Sequence, residues 1–476
     1  MSARERLRQL PALDQLLLAV QREMEVNLPD ALVTEVLRQE LARLREKMLA
    51  GEDPGEEALT LPALTAGLRR LAAARLRGVI NATGVLIHTN LGRTPLSQRA
   101  VEKLAEVGRG YCNLELDLTT GQRGGRGLLA ETALAQLCGA PAATVVNNCA
   151  AALVLILRAL ITPERREVVV SRGELVEIGG GFRIPEILAT SGAVLKEVGT
   201  TNRTRLADYR SAASPGVAML LKVHRSNFHM TGFVEETQPA ELAALGRELG
   251  VPVVGDLGSG AVRDPAQWHR LPHEPAPQEW LQAGMDLVCV SGDKLFGGPQ
   301  AGIIAGGQEW VSRLKRDPFF RALRADKLVL AAVQETALES LEVGSELPLH
   351  AAMAVPLQTL QSRAEALVRE LEAPAAAHGV QLAVRQAEAS VGGGTMPAAR
   401  LPSVVVELRA RRDGEMQALA ERLRWGETPI IGYLEDSALR LDLRTVPADL
   451  DPILRANLRA AWISGIEGKN EPHAGS

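Results

Sequence analysis

Two apolar runs of this 476-residue chain end in groups that can do chemistry. VPVVGDLGSG (251–260) carries Asp256, and DLVCVSGDKLFGGPQAG (286–302) carries Ser291 and Lys294. A carboxylate and a primary amine at neighbouring strand ends suit pyridoxal 5′-phosphate. The amine condenses with the cofactor aldehyde as a Schiff base. The carboxylate keeps the pyridine nitrogen protonated, so that the ring accepts electrons. The glycines after Lys294 let backbone approach the cofactor closely. Taken singly, a strand-end Asp is often a cap and a lone Lys a solvated charge; it is the pair that points to the cofactor.

The phosphate of such a cofactor needs an anion site. VVNNCAAAL (145–153) reads as a strand running into a helix that opens on small residues, and free N–H groups at a helix start hold phosphate. Asn147, Asn148 and Cys149 supply the side chains there, although either asparagine also serves as a plain helix cap. Ser291 offers a further hydroxyl. His224 follows the run GVAMLLK and is placed to lie over the cofactor ring. Three arginines are candidates for gripping a substrate anion: Arg93 in IHTNLGRTPLS, and Arg321 and Arg324, three apart in RDPFFRALRADK and so expected on one face of a short helix. For each cluster alone, a solvated charged face is the plainer reading.

The elements that must position these groups follow from the pattern of apolar residues. Residues 1–70 read as helical, with Leu32, Val36, Leu37, Leu41 and Leu44 at helical spacing and GEDPGEE (51–57) as a break. From residue 78, short Val-rich runs at 143–148, 167–173, 216–224, 251–256 and 286–292 alternate with helical stretches such as 128–137 and 240–249. That alternation predicts an α/β domain over 78–340 with a mainly parallel, doubly wound sheet, whose ligands sit at the carboxyl ends of the strands. Residues 341–468 read as a smaller α+β domain, with a long helix over 352–371, strands at 403–407 and 439–443, and a loop at 395–403. Residues 469–476 read as a frayed tail.

Composition excludes several classes. Hydrophobic residues are 46% and charged residues 23%, which is ordinary globular usage and rules out a disordered chain. The net charge of -4 does not announce a nucleic-acid binder, yet residues 66–126 hold ten Lys or Arg against four Asp or Glu. The four cysteines show no CxxC pairing and are expected as buried free thiols, with no disulfide or metal centre. Charge recurs every few residues at the amino terminus, and Cys149–Leu157 falls short of the ~20 residues of a membrane helix. A soluble cytoplasmic protein is expected.

Taken together, GVINATGVLIHTNLGRTPLS, VVNN, VVVSRGELVEIGGGFRIPEI, EVGTTNRT, LLKVH, VPVVGDLGSG, SGDKLFGGPQAGII and RALRADK resemble the bacterial L-seryl-tRNA(Sec) selenium transferases, the selenocysteine synthase family. These motifs spread over 78–327, and weaker likeness runs to about residue 446. The resemblance implies fold type I, the aspartate-aminotransferase fold, with Lys294 carrying the cofactor. It also implies conversion of seryl-tRNA(Sec) to selenocysteinyl-tRNA(Sec) through a pyridoxal aldimine and a dehydroalanyl intermediate. Selenophosphate would be bound by Arg93, Arg321 and Arg324, tRNA would dock on the amino-terminal helices, and the chain would form a homo-oligomer, a decamer built as a pentamer of dimers. The chain departs from the family at Cys149, where a third asparagine is usual, and at Arg225 and Tyr433. The competing reading is a pyridoxal-dependent lyase acting on a small phosphorylated amino sugar or amino acid with the same Asp256 and Lys294.

Overall fold

The computed structural model describes residues 7–23, 27–178, 181–269, 271–412 and 414–467; the expected tail at 469–476 lies outside them. Contacts divide the chain into two compact units. The first runs to Val79 and takes in Trp425–Pro429. It is helical: α1 (Leu13–Glu23), α2 (Asp30–Leu49) and α3 (Ala66–Ala73) close over Leu16, Val20, Leu37, Leu44, Leu64 and Leu68. The buried stripe of α2 is Val33, Leu37, Leu44 and Met48, one residue on from the start expected at Leu32, which is exposed. Gly51 and Gly55 sit at positive φ in the expected break.

The second unit holds two large sheets, beside two-stranded pairings of 80–81 with 430–431 and of 177–178 with 182–183. The larger is built from β1 (Ala142–Val146), β2 (Glu167–Ser171), β3 (Val194–Val198), β4 (Val217–Val223), β5 (Val253–Leu257), β6 (Leu287–Ser291) and β7 (Gly302–Gly306), in the spatial order β1-β7-β6-β5-β4-β2-β3. All neighbours are parallel except β7, which runs antiparallel to both β1 and β6. Five strands answer the five Val-rich runs. The central ones are buried on both faces, which is why they read as continuous apolar stretches. Two strands are not announced by that signal. β3 is one of the two edge strands and carries Lys196 and Glu197, with Lys196 paired to Glu167 at 2.7 Å. β7 begins and ends in glycine, because a Cβ at Gly302 would lie 2.1 Å from the Asn148 carbonyl oxygen and one at Gly306 2.1 Å from that of Asp286.

Apolar layers lie on either side of this sheet. The covering helices include α4 (Gln98–Arg109), α5 (Leu128–Cys138), α6 (Cys149–Leu160), α7 (Ile184–Ser191), α8 (Pro239–Leu249) and α9 (Lys327–Leu341). The smaller sheet is antiparallel throughout: β8 (Val380–Ser390), β9 (Arg400–Ala410), β10 (Tyr433–Glu435) and β11 (Ala438–Asp442), in the order β8-β9-β11-β10. Its core is closed by α10 (Leu357–Ala377) and α11 (Asp451–Glu467).

The sequence expectation is corrected in three places here. The single helix over 352–371 is two, Pro348–Ala354 and α10, because Pro356, the N-cap of α10, is extended (φ -63, ψ 141) and cannot continue the first. The loop expected at 395–403 gives way to β9 from Arg400. Of the four free thiols only Cys138 and Cys289 are buried; Cys112 is exposed and Cys149 half-buried. Among the described residues, no helix is long and apolar enough to cross a membrane.

Candidate active site

β5 and β6 are neighbours, with Asp256 in register with Cys289. The chain after β5 turns back over the end of β6. Gly260 makes that turn at φ 76, where a Cβ would strike the Ser291 carbonyl oxygen at 2.3 Å. Lys294 is thereby wrapped. Its Nζ donates to the carbonyls of Gly258 (2.7 Å) and Gly394 (3.1 Å), and the residue is 5% exposed. Asp256, 4% exposed, accepts at Oδ1 from the thiols of Cys149 (3.5 Å) and Cys289 (3.7 Å). The amine and the carboxylate thus share one buried neighbourhood at adjacent strand ends.

Burial pushes both groups toward their neutral forms. It raises Asp256, against the thiol hydrogen bond from Cys149 and the charge of Lys294. It lowers Lys294, helped by Arg93 and opposed by Cys149, Asp256 and Asp293.

α6 opens where expected. Asn148 is its N-cap, with Oδ1 accepting from the Ala151 N–H at 2.9 Å, and Cys149 takes the first helical position. Asn147 is committed elsewhere. With its amide turned to satisfy both neighbours, it donates to the carbonyls of Leu323 (3.2 Å) and Arg324 (3.0 Å). Replacing Asn148 by alanine removes the cap and is expected to cost ~1 kcal/mol; denaturant unfolding of the full chain measures it.

His224 follows β4. Its N–H donates to the Asp256 carbonyl at 2.9 Å, and its ring Nε2 lies 2.8 Å from Oε1 of the buried Glu274. Ser291 is buried at the end of β6, three residues before Lys294. Arg93, at φ 66, reaches Asp293 Oδ2 at 2.5 Å and so stands beside the lysine. Thr94 fastens the same loop to the carbonyls of Asp293 and Gly298.

The other two arginines do not share a helix face. The short helix is Phe320–Leu323, and Arg324 is its extended C-cap (φ -60, ψ 130), because the chain there joins Val146 through an isolated bridge. Arg324 lies 3.5 Å from Glu115, which also binds Arg123 and Arg126, while Arg321 is exposed with no ion-pair partner among the described residues. Of the departures from the family pattern, Arg225 pairs with Glu236 at 3.0 Å.

Four neighbours of the site escape sequence reasoning. Glu274 stands in a proline-rich stretch with no motif around it. Asp293 is masked by the lysine beside it. Gly394 and Thr395 come from a loop a hundred residues away, and Thr395 is fully buried with its hydroxyl on the Ser259 carbonyl.

The donor set suits a phosphorylated aldehyde with a basic ring. The buried amine is held by carbonyls alone, the carboxylate has one oxygen that no described group engages, and a capped helix start lies beside it. The fully buried Ser259 hydroxyl, in the same loop, has no partner among the described residues.

Comparison with known proteins gives the family. The profile of the L-seryl-tRNA selenium transferase family (SelA) matches residues 79–447. The L-seryl-tRNA(Sec) selenium transferase of Carboxydothermus hydrogenoformans is 42% identical over 454 residues, 94% of this chain and 96% of that protein. The protein of the same name from Geobacter metallireducens is 45% identical over 394 residues, 82% of this chain and 84% of that one. Among solved structures, D-glucosaminate-6-phosphate ammonia-lyase is similar in fold, with a TM-score of 0.56 and 22% identity over 84% of this chain and 98% of that one. The fold is type I, the aspartate-aminotransferase fold, and the chain belongs to the L-seryl-tRNA selenium transferase family.

Proposed function

We propose that the protein converts seryl-tRNA(Sec) to selenocysteinyl-tRNA(Sec), with selenophosphate as the selenium donor and pyridoxal 5′-phosphate as cofactor. One observation carries the reading. A buried amine and a buried carboxylate stand at adjacent strand ends, in a chain 42% identical over 94% of its length to a protein of that name. When bound, the cofactor supplies an aldehyde for an amine and a ring that draws electrons from the substrate α-carbon.

Lys294 is the residue to hold it covalently and Asp256 the one to keep its ring nitrogen protonated. The first turn of α6, at Asn148 and Cys149, would hold the phosphate, with Ser291 as a further donor, and His224 would serve the ring. Lys294 Nζ, biased by burial toward its neutral form, takes the proton from the serine α-carbon and later returns one. Arg93 exchanges Asp293 for the selenophosphate anion, and Arg321 adds positive charge. Arg324 contributes once it leaves Glu115. Guanidinium groups brought to that anion would stabilise the charge that the departing phosphate carries.

We assign tRNA docking to the helical segment 1–70, cofactor chemistry to 78–340 and the smaller sheet to 341–468. Residues 1–50 hold eight Lys or Arg against eight Asp or Glu, so docking there is recognition by shape. Leu64 and Leu68 share a core with Leu37 and Leu44, so a clean removal takes residues 1–77 together. That truncation is expected to weaken binding of the tRNA at least about tenfold, measured by filter binding at fixed salt; undiminished binding contradicts the assignment.

We assign assembly into a decamer, a pentamer of dimers, on the family resemblance; Tyr111, Leu118, Leu128 and Leu129, exposed along a groove of about 1220 Å³ lined by α4, residues 111–129 and α9, offer apolar surface for a contact between copies. A cytoplasmic location fits a substrate made of tRNA.

The deciding experiment incubates the protein with its cofactor, seryl-tRNA(Sec) and selenophosphate and identifies the esterified amino acid. Selenocysteine supports the proposal. Unchanged serine, with turnover of a small phosphorylated amino sugar instead, supports the lyase reading.

A further inference from the structure

Asp256 is approached by two thiols from different elements. Cys289 comes from the adjoining strand β6, in register with it. Cys149 comes from the first turn of α6, set there by the Asn148 cap. Both thiols address the same atom, Oδ1, at 3.5 and 3.7 Å, and among the described residues no group donates to Oδ2. A carboxyl group tied through one oxygen in a buried site cannot turn without losing both donors. Its second oxygen therefore keeps one direction.

We propose that Cys149 and Cys289 are positioning residues that fix Asp256 through Oδ1 and leave Oδ2 for the ring nitrogen of the cofactor. This rests on the pyridoxal reading given above. The same three atoms lie close enough together to surround a cation, but that would need thiolates. The neighbouring Cys149 thiol and burial push the Cys289 thiol well up, so it stays a donor.

Burial alone drives Asp256 toward its neutral acid, which cannot hold a ring nitrogen protonated. The groups that face it are Cys149 from α6, Cys289 from β6, Lys294 from the loop after β6 and His224 from the loop after β4, and all four favour the ionised form. Removing a thiol donor therefore raises the pH at which Asp256 ionises.

Two measurements on the full-length protein test the proposal. The first is infrared spectroscopy of the S–H stretch without added cofactor, with bands assigned through Cys149→Val and Cys289→Ala. The Cys149 and Cys289 bands are expected below that of Cys138, whose buried thiol sits among apolar side chains, and to move toward it in Asp256→Asn. Bands that coincide with Cys138 overturn the proposal whether or not the protein takes up pyridoxal phosphate. The second is equilibrium binding of pyridoxal phosphate across pH. Cys149→Val is expected to weaken binding about tenfold, the low end for a hydrogen bond to a charged group, and to shift its acid limb to higher pH, while Cys149→Ser restores both. Unchanged affinity and pH dependence in Cys149→Val and Cys289→Ala contradict it. A wild-type protein that shows the shifted S–H bands and fails to bind pyridoxal phosphate sinks the cofactor reading instead.

Discussion

Alanine at position 294 is expected to lower the rate of selenocysteine formation about 10⁴-fold, the upper end of what a positioned proton-transfer group contributes. The loss has two parts. The only amine seen at this strand end is gone, and so is the base beside the α-carbon. Seryl-tRNA binding should change little, because the amine contacts two backbone carbonyls and no surface group. Single-turnover rates with saturating tRNA separate the two effects. A rate within tenfold of wild type would remove Lys294 from the chemistry.

Lys294 also leaves a mark on stability. Burial lowers its native pKa, so between that value and the ordinary lysine range the unfolded chain binds more protons than the native one. The cost of burying the amine is fully present below the native pKa and vanishes as pH rises through the ordinary lysine range. A Lys294→Met variant should therefore be more stable than wild type at neutral pH, with the gain fading in alkali; thermal unfolding across pH reads it. A gain that grows with pH would contradict this placement of the amine.

The second large effect is at Asp256. Asparagine there keeps the shape and the carbonyl acceptor but carries no charge. The rate should fall ~10²–10³-fold, the loss seen when one preorganised electrostatic partner is removed. Its affinity for the cofactor should fall too, but unlike Lys294→Ala this variant keeps the amine, so at saturating cofactor the lysine should still be loaded, and rate and occupancy part company. The stability effect has the opposite sign to that of lysine. Burial raises the carboxyl pKa, so its cost is absent below the ordinary carboxylate range and fully present above the raised native value. Asp256→Asn should accordingly gain stability relative to wild type as pH rises through that window.

Much of this site is legible in the chain. Lys294, Asp256, Ser291, Asn148 and Cys149 all follow from one rule: in a parallel sheet chemistry gathers where strands end, and central strands buried on both faces are easy to see as Val-rich runs. β7 is hidden because packing against Asn148 and Asp286 demands glycine at both its ends. β3 is hidden because an edge strand tolerates charge. The helix break at Pro356 was available in the sequence, since proline cannot continue a helix, and the apolar periodicity on either side obscured it. Arg321 and Arg324 show a different limit. Spacing of three places two residues on one face only if the helix spans both, and Val146 draws Arg324 out into an extended bridge. Glu274, Asp293 and Gly394 are visible only once distant segments meet.

The arrangement around Lys294 is tested most directly by covalent trapping. The full-length protein is loaded with pyridoxal phosphate, reduced with borohydride, digested and analysed by mass spectrometry. The account predicts one pyridoxyl group, on the peptide containing Lys294, and none in the alanine variant. Label on a different lysine, or no label with the wild-type protein, would contradict it.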